Sequence, residues 1–216
     1  VLLLRRDGTG KPVTIELPAH MVFHHGNAYE RDGKLILDTI LSPNQQVLDA
    51  LYSWSKEQLP PSTPTKVTRL VLDPAKASLV SQTDLAEAQE FPRFDSRRTG
   101  DEARYLYALE SGLKDDGFAP NVLVRHDLKQ GKQQRIVAET GRVFGEAVFV
   151  PRPGNTEENN GWLLVQGYDG KRDENFLEVR DAATLSLEAR IWTGQHFPLG
   201  FHGNFTTAAF VSTEAL

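Results

Sequence analysis

Short runs of apolar and β-branched positions, separated by polar turn residues, dominate the chain, and this period-two pattern predicts strands rather than long helices. Four segments share one form. Leu2 to Asp7 reads LLLRRD, Leu70 to Asp73 reads LVLD, Leu123 to Asp127 reads LVRHD, and Leu177 to Asp181 reads LEVRD. Each is an apolar run closing on Asp, followed by a polar turn and a second apolar stretch. Those second stretches are Val13-Thr14-Ile15, Ser78-Leu79-Val80, Arg135-Ile136-Val137 and Ala189-Arg190-Ile191. Asp suits the closing position because its side chain can accept from its own backbone two residues on. The pattern therefore predicts four hairpins.

Their spacing carries more information than their composition. The turn aspartates recur at 127 − 73 = 54 and 181 − 127 = 54 residues, while the first interval, 73 − 7 = 66, is longer by twelve. The excess coincides with Asn44 to Trp54, NQQVLDALYSW, which places Val47, Leu48, Leu51 and Trp54 on one helical face. The Pro-rich run Leu59-Pro60-Pro61-Ser62-Thr63-Pro64 follows it. A short inserted helix near 44–54 and a stiff linker are expected there. Another β stretch lies between successive hairpins: Lys34 to Ile40, Arg104 to Glu110, and Trp162 to Tyr168. Roughly four strands per period of about fifty residues is the signature of a β-propeller blade. A sandwich would give short strands without the equal interval. The expected class is all-β, with about four blades of a propeller.

Composition narrows the chemistry. There is no cysteine, so disulfides, thiolate catalysis and Cys-based metal sites are excluded, leaving six His and the carboxylates as metal donors. The 24 Lys+Arg against 29 Asp+Glu give a net charge of −5, which argues against a nucleic-acid partner bound through a basic face. No P-loop, dinucleotide-binding glycine turn or Gly-x-Ser-x-Gly elbow is present. Arg93, Arg97, Arg98 and Arg104 alternate with Asp95, Asp101 and Glu102, which predicts a salt-bridged loop rather than a phosphate patch.

Counting forward from each turn Asp brings out a second register. His24 lies 17 residues after Asp7, Glu90 lies 17 after Asp73, Glu146 lies 19 after Asp127, and His202 lies 21 after Asp181. If the first strand of each blade lines a common axis, these four residues converge there. Two imidazoles backed by two carboxylates suit a metal site, because a ligating histidine binds through one ring nitrogen and donates the other N–H to an acceptor. Blade order pairs Glu90 with His24 and Glu146 with His202. Direct ligation by the glutamates is the alternative. Successive strand side chains point to opposite faces, so only one of His24 and His25 can face the axis, and the match of Phe23-His24 to Phe201-His202 selects His24. His20, His126 and His196 fall outside this register and are expected to be structural or surface residues. Trp54, Trp162 and Trp192 are expected to pack between strands.

These residues lie in four stretches that resemble segments of the carotenoid cleavage oxygenase family. Phe23 to Glu30, FHHGNAYE, resembles the family's FHHxNAYE segment, and Glu90 to Asp95, EFPRFD, is similar to its EFPRxD segment. Gly145 to Gly154, GEAVFVPRPG, resembles GEPVFVPRPG, and Phe201 to Phe205, FHGNF, resembles the terminal FHGxF element. The resemblance implies a seven-bladed propeller with an Fe(II) cofactor, Fe(2+), on four histidines. Of the metal residues, His24 and His202 match two of the four histidines, and Glu90 and Glu146 match two of the three bracing glutamates. It further implies an Fe(II)-dependent dioxygenase cleaving a conjugated C=C bond of a carotenoid or apocarotenoid with O2 to aldehyde or ketone products. A stilbene-cleaving dioxygenase of the same family, an iron-dependent isomerase or hydrolase, and a propeller that binds a partner without catalysis are the alternatives.

The remaining histidines belong, in the family, to the half that would precede Val1. Residues 1–216 are therefore expected to be the C-terminal portion of a single propeller domain whose N-terminal half is its partner, with activity residing in the intact protein. The other partners implied are a lipophilic polyene, O2 and a membrane touched peripherally, with the protein otherwise cytoplasmic.

Overall fold

The computed structural model describes residues 1–54, 65–111, 120–198 and 200–208. Strands account for nearly all regular structure. The pair β1 (Leu2–Leu3) and β2 (Val13–Thr14) is followed by β3 (His25–Arg31) and β4 (Lys34–Leu41). Helix α1 (Gln46–Trp54) comes next, then β5 (Lys66–Asp73), β6 (Ser78–Glu87) and β7 (Gln89–Arg93). A short 3-10 turn at Ser96–Arg98 precedes β8 (Tyr105–Ser111), β9 (Pro120–Asp127) and β10 (Lys132–Val137). The last four strands are β11 (Arg142–Pro151), β12 (Gly161–Asp169), β13 (Glu174–Asp181) and β14 (Leu187–Trp192).

Each group of four consecutive strands forms its own antiparallel meander: β3-β4-β5-β6, β7-β8-β9-β10 and β11-β12-β13-β14. The fourth sheet is the two-stranded β1-β2, which by the repeat register occupies the place of a blade's third and fourth strands. This is the propeller pattern of one up-and-down sheet per repeat. The strand β7 touches β3, β4 and β5 of the preceding sheet and β11 of the following one, so the first strands lie toward a shared axis. Helix α1 falls in the long first interval, with Asn44 Oδ1 accepting the Gln46 N–H at 2.9 Å. The Pro-rich run lies outside the described residues, as does the side chain of Trp54. No helix among the described residues is long and apolar enough to cross a membrane.

The repeated Asp has a repeated job. Asp73 Oδ1 accepts the N–H groups of Ala75 and Lys76, and Asp181 Oδ1 those of Ala183 and Thr184. Asp127 Oδ1 accepts from Gln130 N–H, and Asp7 Oδ1 from Thr9 N–H. At the three complete hairpins the chain then turns through a left-handed residue four positions after the Asp: Ala77 (φ 50°), Gly131 (φ 64°) and Leu185 (φ 60°). Only one of the three is glycine, so the carboxylate's backbone bonds help hold a conformation that Ala and Leu resist. Each of these aspartates also faces a cation: Lys34 at 2.6 Å from Asp73, Arg104 at 2.6 Å from Asp127, and Arg152 at 3.2 Å from Asp181.

The main core lies between the second and third complete sheets, built on Tyr107, Leu109, Leu123, Phe144, Phe149, Leu163, Val165 and Phe176. Gly167 of β12 pairs with Phe144 on one side and Phe176 on the other, and the two rings meet edge-on over it at 6.5 Å. A Cβ at Gly167 would sit 2.2 Å from the Phe176 ring and 2.6 Å from the Val143 carbonyl oxygen. Glycine is required there by the rings it makes room for. Trp192 packs against this core as expected. Trp162 does not: half-buried on β12, it donates its Nε1–H to Glu188 at 2.9 Å and lies under the Arg152 guanidinium. Its indole N–H needs an acceptor, which Glu188 supplies.

Candidate metal centre

Three first strands carry the same irregularity at the same level. Between His25 and Ala28 of β3, between Glu90 and Arg93 of β7, and between Phe144 and Ala147 of β11, the bulged strand has one residue more than its partner. An unpaired extra residue bends the strand and re-aims nearby side chains. Glu90 stands at the start of the β7 bulge and Glu146 within the β11 bulge. That offset is why the intervals from the turn aspartates were 17 and 19 rather than equal. At β11 the bulge passes through Gly145, where a Cβ would lie 3.1 Å from the Gln166 carbonyl oxygen. At β7 it passes through Phe91, which adopts φ 55° despite being non-glycine. Strain of this kind persists only where surrounding contacts over-determine it.

Not all four residues occupy first strands. Glu90 and Glu146 do, but His24 immediately precedes β3, and His202 follows the last sheet in a segment without ladder pairing. The His24 carbonyl still accepts the Ile40 N–H of β4 at 3.0 Å, so His24 is tied to the sheet whereas His202 is not.

The four side chains nevertheless converge. His24 Nδ1 lies 2.6 Å from Glu90 Oε2, and His202 Nδ1 lies 3.1 Å from Glu146 Oε1. The two Nε2 atoms face each other at 3.2 Å. Both carboxylates therefore stand behind the rings, on the Nδ1 side, and not among the Nε2 atoms; direct ligation by the glutamates is not the arrangement present. Glu90 Oε2 also accepts the Phe91 N–H at 2.9 Å, and Glu146 Oε2 accepts the Gly203 N–H at 3.0 Å. Phe91 packs against both imidazoles, 5.2 Å from His24 and 6.0 Å from His202 between centroids. His25 turns away and bonds Thr39 Oγ1 at 2.8 Å, as strand alternation requires.

Electrostatics follow from this geometry. The hydrogen bond to Glu90 raises the His24 pKa above the ordinary imidazole value; partial burial pulls it back, and the charges of Glu90 and Glu146 add to the rise. With each Nδ1–H donated to a carboxylate, each neutral ring would present only a lone pair at Nε2. Two lone pairs 3.2 Å apart repel unless they share a cation. A proton on His24 can fill that role, and so can a metal ion. Two imidazole nitrogens on adjacent positions of one metal, each at about 2.1 Å, lie about 3 Å apart. The donor pair fits a metal in spacing and tautomer, although no group of three or more His, Asp or Glu forms a ligand set among the described residues.

The other histidines serve elsewhere. His126 is buried, and desolvation pushes its pKa down to about 4 with help from Arg135, so it is neutral and donates Nε2–H to Gln89 Oε1 at 2.7 Å. Gln89 passes the chain on to Glu110 and immediately precedes Glu90, so this pair anchors the start of β7. His20 bonds the Pro18 carbonyl, and His196 lies 2.9 Å from Asp173. The arginine-rich stretch is salt-bridged: Arg97 forks onto Asp95, and Arg104 onto Asp127. The sequence assigned two residues no part in the site: Phe91, visible only as the aromatic next to Glu90, and Arg93, counted in the salt-bridged stretch. Both lie beside Glu90 in the EFPR stretch, but nothing in their types signals a role.

Beside His202 a pocket of about 220 Å³ opens among Glu146, Val148, Leu164, Gln166, Leu177 and Phe201. Phe23, Phe201 and Phe205 stand exposed near the histidines to which they are adjacent or close in sequence.

The chain is similar to known proteins over most of its length. A family model described as RPE65, retinal pigment epithelial membrane protein, matches residues 1–207. The chain is 32% identical over 209 residues to the apocarotenoid-15,15'-oxygenase of Synechocystis sp., covering 95% of this chain and 42% of that protein. It is also 32% identical over 220 residues to the carotenoid 9,10(9',10')-cleavage dioxygenase 1 of Pisum sativum, covering 93% of this chain and 39% of that protein. Among solved structures, the crystal structure of cobalt-substituted Synechocystis ACO superposes with a TM-score of 0.86 at 28% identity, over 95% of this chain and 43% of that one. The chain thus spans less than half the length of these relatives.

Proposed function

The chain belongs to the retinal pigment epithelial membrane protein family, which includes the carotenoid cleavage oxygenases, and from that premise we propose that the intact protein is an Fe(II)-dependent dioxygenase. Its substrate would be a carotenoid or apocarotenoid, cleaved at a conjugated C=C bond with O2 to give aldehyde or ketone products. Residues 1–216 would be the C-terminal portion of one seven-bladed propeller domain, with the remaining histidine ligands outside this chain. The observation that carries the reading is the approach of His24 Nε2 and His202 Nε2 to 3.2 Å, with a carboxylate at each Nδ1.

His24 and His202 would hold the metal, and Glu90 and Glu146 would fix their tautomers and orientation. When bound, the metal supplies O2 activation. The two carboxylates would orient each ring with Nδ1 toward the carboxylate and Nε2 toward the metal, and they add negative charge behind the histidines. Phe91 shields the rings from water on one side. Phe23, Phe201 and Phe205, next to or close to the two histidines in sequence, would supply apolar surface to a lipophilic polyene in the intact protein. Extraction of such a substrate from a membrane fits peripheral contact, with the protein otherwise cytoplasmic.

Metal analysis of the intact protein, together with O2 consumption on a panel of carotenoids, apocarotenoids and stilbenes, tests this reading. About one iron per chain and aldehyde release in step with O2 uptake are expected. Protein without iron, or turnover without O2 uptake, would overturn it.

Glu90→Gln gives a second check through pH. A metal must displace any proton from His24 Nε2, and Glu90 raises the pKa at which that proton binds. Metal affinity should therefore fall on acidification by about tenfold per pH unit below the His24 pKa. In the Gln variant that decline should begin at lower pH, because the charge that favoured the imidazolium is gone. At neutral pH the same variant should bind metal about 10- to 100-fold more weakly. An onset that fails to move would show that Glu90 does not act on His24 in solution.

A further inference from the structure

One strand reaches both halves of the site. From β7, Glu90 extends to His24 of the preceding repeat, while Arg93, just past the bulge, extends the other way. Arg93 Nη2 donates to the Gly203 carbonyl oxygen at 3.2 Å, and Arg93 Nη1 lies 3.7 Å from Glu146 Oε1. The guanidinium thus touches both the backbone beside His202 and the carboxylate that His202 itself contacts.

Among the described residues, the His202 segment has few other ties to this chain. It has no ladder pairing, and the His202 side chain is 53% exposed. Among the described residues, segment 200–208 is joined by hydrogen bonds to the rest of the protein only at His202 and Gly203. The partners are His24, Glu146 and Arg93. Glu146 is in the opposite situation, with its side chain only 4% exposed. A carboxylate so far removed from water is costly unless a cation stands by, and among the described residues Arg93 is the guanidinium beside it.

We infer that Arg93 is a positioning residue: it pins the His202 segment to β7 through Gly203 and balances the Glu146 charge, so that His202 Nε2 is held opposite His24 Nε2. The shape matters as well as the charge. The planar guanidinium donates to the Gly203 carbonyl through one nitrogen while another stands 3.7 Å from Glu146 as an ion pair, whereas a lysine presents one compact ammonium centre. The inference rests on the metal reading for its consequence, but its geometric part stands without a metal.

The test uses the full-length protein and two readouts. The first is hydrogen exchange at the Gly203 amide in metal-free protein. The second is Co(II) binding, followed by affinity and by the ligand-field spectrum. Arg93→Ala is expected to speed Gly203 exchange well beyond any change in the β11 amides. It should also weaken Co(II) binding by about 10- to 100-fold and alter the spectrum. Arg93→Lys, which keeps the charge but not the planar shape, should fall between wild type and Arg93→Ala in both. Gly203 exchange that changes no more than the β11 amides would overturn the inference, as would Co(II) affinity within twofold of wild type. Should Arg93→Ala fail to fold, Arg93→Lys decides by the same two criteria. Should wild type itself bind no Co(II), the metal reading fails on its own and Gly203 exchange alone decides the role of Arg93.

Discussion

Replacing His202 by alanine is expected to lower cleavage turnover in the intact protein by about 10³-fold or more, with loss of bound metal. The reason is the pairing at Nε2. One imidazole cannot satisfy a site built for two facing lone pairs, and a metal's contribution to the transition state amounts to several kcal/mol, each 1.36 kcal/mol being about tenfold in rate. Product formation and metal content measured on the same sample check this. His196→Ala is the matched control, since His196 pairs with Asp173 away from the site, and it should leave turnover within about twofold. His25→Ala is the sharper control: adjacent to His24 in sequence, it faces Thr39 instead and should retain the metal. A His202→Ala protein with full turnover would remove His202 from the site.

The largest stability effect is expected at Phe176. Its side chain is fully buried, meets Phe144 edge-on at 6.5 Å and Trp192 at 5.7 Å, and covers Gly167. Truncation to alanine leaves a cavity lined by two rings and a glycine that cannot fill it, costing about 3–5 kcal/mol. Urea denaturation should show a lowered midpoint with an unchanged slope. The converse substitution, Gly167→Ala, drives a methyl into the same ring and should destabilise by about 1–3 kcal/mol. Combining the two should cost less than their sum, because the truncated ring no longer opposes the new methyl. Strict additivity would mean that the clash with the Val143 carbonyl dominates.

Much of the fold was legible because its signals are local. The run LVRHD, its turn and Arg135-Ile136-Val137 correspond to β9 and β10, and the same reading holds for β5–β6 and β13–β14. Asp73, Asp127 and Asp181 announce turns through bonds to their own next residues. The helix over 46–54 showed itself by apolar spacing. The left-handed residues at Ala77 and Leu185 did not, since neither is a type that marks such a position. The hydrogen bond from the Trp162 indole to Glu188 was likewise invisible in the sequence, because the two residues meet only across the sheet.

The site divides along the same line. By residue type and spacing alone, the chain specified an all-β repeat of about 54 residues and singled out His24, Glu90, Glu146 and His202. Their contacts span 66, 56 and 178 residues of sequence. No local pattern sets distances across such separations. Only the tertiary structure decided that the carboxylates stand behind the imidazoles, that a bulge recurs in three first strands, and that His202 comes from a segment without ladder pairing. It also brought Arg93 of one sheet to the backbone beside His202. The physical reason is that a period-two pattern selects a face of a strand, whereas a metal-sized gap between two nitrogens is set by how whole sheets pack.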